Sequence, residues 1–160
     1  MINMVLIILL ALFLVAMLAG LTYRRLKTST YKFKDFEVTE IPYITMDIQG
    51  NLFNMVVDTG CAVSLLNVPS LKGCELLYKD INKAIDLSAV TSDKIEARGI
   101  NIKFDIGKKE ISEDFYLQNH EDFANFNKMH GITIHGLLGS SFFHNNNCRI
   151  NYKNHQLEVL

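Results

Sequence analysis

Cysteine is scarce in this chain: Cys61, Cys74 and Cys148 are the three in 160 residues. An odd number at irregular spacing does not match the disulfide framework of a small secreted domain and agrees with a reducing compartment. Charge of one sign is missing too. The 16 Lys and Arg against 17 Asp and Glu leave a formal net charge of -1, with no basic block outside residues 24–34, so no nucleic-acid partner is expected. There is no internal repeat and no low-complexity tract. His120, His130, His135, His144 and His155 lack a ligand spacing such as His-Glu-x-x-His, so they read as loop or surface residues, and neither a metal nor a cofactor is expected.

What the chain does have is a long apolar run. From Met4 to Leu21 no residue is charged, and about 20 such residues rise far enough to cross the ~30 Å hydrocarbon core of a bilayer. A cleaved signal peptide normally has a basic start, a shorter core and small residues at the cleavage site. This run has none of them, so residues 1–23 are expected to be a retained transmembrane anchor in contact with the lipid bilayer. Arg24, Arg25, Lys27, Lys32 and Lys34 all follow the run, which places the rest of the protein in the cytoplasm by the positive-inside rule. Residues 24–35 read as a basic juxtamembrane linker. Residues 36–160, about 125 in number, make one ordinary domain with one core.

That domain reads as mostly strand. Residues 43–48 and 52–57 form a hairpin around Gln49-Gly50-Asn51, and the second strand runs straight into Asp58-Thr59-Gly60. Ser64-Leu65-Leu66 returns to the core, Pro69 and Gly73 mark a loop, and a short helix is expected near residues 74–80. Residues 85–90 and 95–106 form a second hairpin across Thr91-Ser92-Asp93. The alternation of Ile111, Glu113, Phe115 and Leu117 predicts a half-buried strand. Residues 118–129 are a loop or a short helix. Ile132 and Ile134 lead into Leu137-Leu138-Gly139, and residues 149–152 and 156–159 close the chain as a small hairpin.

Asp-Thr-Gly on its own is a common way to close a turn, because an Asp side chain bonds its own backbone two residues on. Its position here says more. It ends an apolar strand, a second apolar-apolar-Gly element follows about eighty residues later by sequence count, and Ser140-Ser141-Phe142-Phe143 and Cys148-Arg149-Ile150-Asn151-Tyr152 come after that. Together these elements resemble the retropepsin-like aspartic proteases, the single-lobed family of the retroviral proteases. The resemblance spans Glu40 to Tyr152, and its specific part lies at the two ends. Ser64 fits the family pattern; Cys61 departs from it, standing where a small side chain is usual.

The resemblance implies a mostly β, single-lobe acid protease fold with one short C-terminal helix, preceded by the transmembrane helix, and an aspartic endopeptidase acting on polypeptides. It implies Asp58, Thr59 and Gly60 as catalytic residues, with Thr59 joining two turns across a two-fold axis and Gly60 admitting the substrate backbone. Cys61, Ala62, Thr91, Ser92, Asp93 and Leu138 would line the substrate, the middle three at the tip of a flap. The flap tip has no glycine, the nearest being Gly99, so a plain surface hairpin is the competing reading. Hydrolysis needs two carboxylates sharing a proton. Asp86, Asp93, Asp105, Asp114 and Asp122 lack both the apolar strand before and the Thr-Gly after, so the second Asp58 is expected from another copy, in a homodimer. Two alternatives stand beside this: a catalytically silent, membrane-tethered module that binds extended peptides by strand addition, and a nucleophile pair of Cys61 with a histidine.

Overall fold

In the computed structural model, residues 4–86, 96–106, 109–119 and 121–160 are described. In chain order the elements are α1 (Met4–Lys27), β1 (Ser29–Lys32), α2 (Phe36–Thr39), β2 (Tyr43–Ile48), β3 (Asn51–Val57), β4 (Ser64–Asn67), a 3-10 turn (Val68–Leu71), β5 (Tyr78–Asp86), β6 (Glu96–Ile106), β7 (Lys109–Gln118), α3 (Glu121–His130), β8 (Gly136–Leu138), α4 (Ser140–Asn145), β9 (Cys148–Asn151) and β10 (Gln156–Val159).

The expected first hairpin forms in register, from Tyr43 opposite Val56 to Ile48 opposite Asn51. Its two-residue turn has Gln49 at φ 55° and Gly50 at φ 82°. Both angles are positive, as the turn that matches the natural strand twist requires. Ile44, Met46 and Ile48 on β2 and Phe53, Met55 and Val57 on β3 are buried, which fixes the register because a one-residue slip would expose all six.

A seven-stranded sheet follows the order β2-β3-β8-β4-β7-β6-β5. Its centre positions the site. β8 is inserted between β3 and β4, parallel to the first and antiparallel to the second, although β3 and β4 are consecutive and joined only by residues 58–63. Such a strand is buried on both faces, so its run Gly136-Leu137-Leu138 has no polar side chain. A side chain at Gly136 would collide with the Leu65 carbonyl. A second, three-stranded sheet has the order β1-β10-β9.

Several expectations change. The described residues hold α2, α3 and α4 beyond α1 rather than one short C-terminal helix. In α3, Phe126 is buried near Tyr43 and Ile134, with Phe123 packed beside them. No helix covers residues 74–80. The 3-10 turn lies earlier, and β5 begins at Tyr78 because that stretch pairs with β6, Tyr78 opposite Ile102. The supposed linker is partly structural: Ser29 to Lys32 pair with Val159 to Gln156.

α1 runs for 24 residues, yet among the described residues no helix is long and apolar enough to cross a membrane. A spanning anchor is not shown.

Candidate active site

β3 ends at Val57, and Asp58 follows at the point where three segments meet. The Val57 N–H donates to the Pro42 carbonyl at 2.7 Å, and the Asp58 N–H donates to the Leu138 carbonyl at 3.0 Å. The carboxylate is then set by its own turn, with the Gly60 N–H donating to Asp58 Oδ1 at 2.8 Å. A Cβ at Gly60 would stand 3.2 Å from that oxygen, so glycine keeps the carboxylate uncrowded. Asp58 is partly exposed, and Thr59, Gly60 and Ala62 are exposed.

The loop after Asp58 is pinned by the start of α4. The Cys61 carbonyl accepts from the Ser140 N–H at 2.8 Å and from Ser140 Oγ at 3.0 Å, and the Ala62 carbonyl accepts from the Ser141 N–H at 3.2 Å. Gly139 makes this approach possible. A side chain there would overlap the Val63 carbonyl and stand 2.9 Å from the Cys61 oxygen. The two motifs read from the sequence, Asp58-Thr59-Gly60 and Leu137-Leu138-Gly139, are thus brought together.

Other expected site residues fare differently. Cys61 is half-buried and is a free thiol, as are Cys74 and Cys148. Leu138 is fully buried, so it supports Asp58 through its carbonyl and its side chain belongs to the core. Thr91, Ser92 and Asp93 lie outside the described residues. β5 and β6 do form an antiparallel hairpin leading there, closing with Asp86 opposite Glu96.

Of the remaining aspartates, Asp105 and Asp114 sit on β6 and β7, where Asn101 Nδ2 donates to Asp114 at 2.7 Å. Asp122 lies in the first turn of α3. Two surface hollows, of about 410 and 710 Å³, both touch Gln49 at the far end of β3; neither is lined by Asp58.

Three of the described histidines pack on aromatic rings. His135 stacks on Phe53 with ring centroids 5.0 Å apart, and its Nδ1 accepts from the Asn54 N–H at 3.1 Å. Burial pushes its pKa down, which suits the neutral ring that this bond needs. His130 packs on Phe126 and His155 on Phe36. Among the described residues no group of three or more His, Cys, Asp or Glu could hold a metal ion.

One residue beneath the site was visible in the sequence only as part of an alternation. Glu113 occupies the inward face of β7 between Ile111 and Phe115 and is 2% exposed. Ser64 Oγ donates to its Oε1 at 2.8 Å and accepts from the Gly139 N–H at 3.2 Å. Burial lifts the Glu113 pKa to about 7, against the lowering effect of the bonds from Ser64 and Ser141; nearby Asp114 adds to the rise.

This arrangement has the fold class of the single-lobed acid proteases. In fold the chain is similar to a retropepsin-like aspartic protease from Rickettsia conorii, with a TM-score of 0.51 and 16% identity over 82% of this chain and 89% of that one. The retroviral protease-like domain of Ddi1 from Leishmania major aligns at a TM-score of 0.37 and 15% identity, over 69% of this chain and 81% of that one. No protein-family model and no curated protein sequence matches the chain. Identity this low establishes the fold alone, so the activity is argued from the site.

Proposed function

We propose that the protein is an aspartic endopeptidase acting as a homodimer, in which Asp58 from two copies forms the catalytic dyad. The observation that carries this reading is the braced, partly exposed Asp58 carboxylate on a turn whose flanking Thr59 and Gly60 face outward. One carboxylate takes a proton from water as it attacks the peptide carbonyl, while the other, protonated, supplies a hydrogen bond to the carbonyl oxygen. Each chain offers one such turn, so a two-fold axis beside it provides the pair. The exposed Thr59 hydroxyl is available to the partner's turn.

α1 belongs to this reading as a single-pass anchor holding the catalytic unit at the cytoplasmic face. Its described side chains, from Ile7 to Leu21, are exposed all round, and a helix apolar on every side needs lipid or protein around it.

Peptide-library cleavage by the purified full chain in detergent, compared with its Asp58→Asn form, tests the chemistry. The expected result is cleavage by the first and none by the second, with matching circular dichroism. Peptide binding without cleavage by either would replace the enzyme with the silent binding module.

A further inference from the structure

The loop that carries Asp58 has a titratable group under it that the dyad does not use. Glu113 reaches Ser64 from β7, Ser64 in turn accepts from the Gly139 N–H, and Ser140 and Ser141 hold the carbonyls of Cys61 and Ala62. These bonds tie both ends of the 58–64 loop to one point, the junction of β8 and α4. Ser64 is 0% exposed, so its hydroxyl has one route to full bonding: it accepts from Gly139 and donates to Glu113.

We propose that Glu113 is a positioning residue for Asp58, holding the 58–64 loop against the start of α4 through Ser64. The proposal rests on the endopeptidase reading for its effect on catalysis, and on the geometry alone for its effect on the loop. The carboxyl is held by Ser64 at one oxygen, and burial raises its pKa to about 7, so it is largely neutral near pH 5 and largely ionised near pH 8. Ionisation leaves an anion buried under the 58–64 loop.

The surroundings offer that anion little help. Asp114 on the same strand is a like charge. On β9 the Cys148 thiol is pushed up to about 12, first by burial, with Lys109 opposing and Glu113 adding to the rise. Ser64 on β4 and Ser141 on α4 are neutral.

The test uses the full chain in detergent micelles, as wild type, Glu113→Gln and Glu113→Ala. In peptide cleavage, Glu113→Gln keeps both an acceptor and a donor, so it should lie within about twofold of wild type near pH 5 and be about fivefold or more above it near pH 8. Glu113→Ala should be weak throughout. The second readout does not depend on activity. After correction for intrinsic rates, hydrogen-exchange protection of the Gly139 and Ser140 amides should fall by about tenfold in wild type between about pH 5.5 and 8 and stay level in Glu113→Gln. Superimposed wild-type and Glu113→Gln cleavage profiles overturn the role in catalysis. Level protection in wild type overturns the proposal without any variant having to fold. Absence of Asp58-dependent cleavage from wild type sinks the endopeptidase reading, and the catalytic part of this one with it, while the exchange data still decide whether Glu113 holds the loop.

Discussion

Burial, with another carboxylate nearby, makes Glu113 easier to hold neutral than ionised in spite of two serine hydroxyls that favour the anion, and the residue carries that preference into the stability of the fold. Its pKa rises from 4.5 unfolded to about 7 folded, so the folded state binds the proton more tightly. The contribution is therefore complete below about pH 4.5 and is lost as pH rises through about 7, a span worth about 3 kcal/mol. Urea midpoints should fall from pH 5 to pH 8 in wild type, and Glu113→Gln should remove that part of the slope. Gly139 makes a second demand. Its φ of -87° suits any residue, so its requirement is purely steric, and the obstacle is the Val63 backbone. Gly139→Ala should cost about 3 kcal/mol or more by forcing β8 and the 58–64 loop apart, measured as a drop in urea midpoint with cleavage lost in parallel.

Strands and helices vary in how openly the sequence declares them. The β2–β3 hairpin was legible because a buried face forces alternation and Gln49-Gly50 supplies the turn. β8 was legible as an apolar run, but its insertion between β3 and β4 was not, since no local pattern encodes a partner so distant in sequence. The run Ser-Thr-Tyr-Lys of β1 has no apolar alternation and resembles the linker around it, and only its pairing with β10 makes it a strand. The helix expected near residues 74–80 failed for a similar reason: β5 takes its conformation from β6. Asp58 and Gly139 could be read from their motifs, whereas Glu113 looked like any polar residue until Ser64 and Ser141 came to rest against it. Among helices, α4 bears most directly on the site, and Phe142 fastens it to the core at 0% exposure. Phe142→Ala should cost about 3–5 kcal/mol. Calorimetry should show the fall in Tm, and the residual folded fraction should cleave poorly because the loop bonds from Ser140 and Ser141 loosen with the helix.

Two chains are needed for one proposed active site, and that arithmetic is testable by mixing. Wild-type chains equilibrated with three equivalents of Asp58→Ala chains should keep about a quarter of their cleavage rate, since a wild-type chain then meets another wild-type chain one time in four. Undiminished activity, or full activity in a verified monomer, would sink the dyad. If α1 is an anchor, it also concentrates the chains in a plane and favours pairing. Cytoplasmic and export-dependent reporters fused after Leu160 check the orientation: the first should be active and the second silent.

The place of β10 between β1 and β9 bears on how the protein is made. Ser29 finds its partner in Val159, so the earliest strand waits, with both edges bare, until the residues of β10 have left the ribosome. Local contacts cannot shorten that wait, and pairing of this kind is slow to form. During synthesis the bare edge is open to strands of neighbouring nascent chains, which makes crowded translation, rather than the finished fold, the stage at which this protein is most exposed to misassembly.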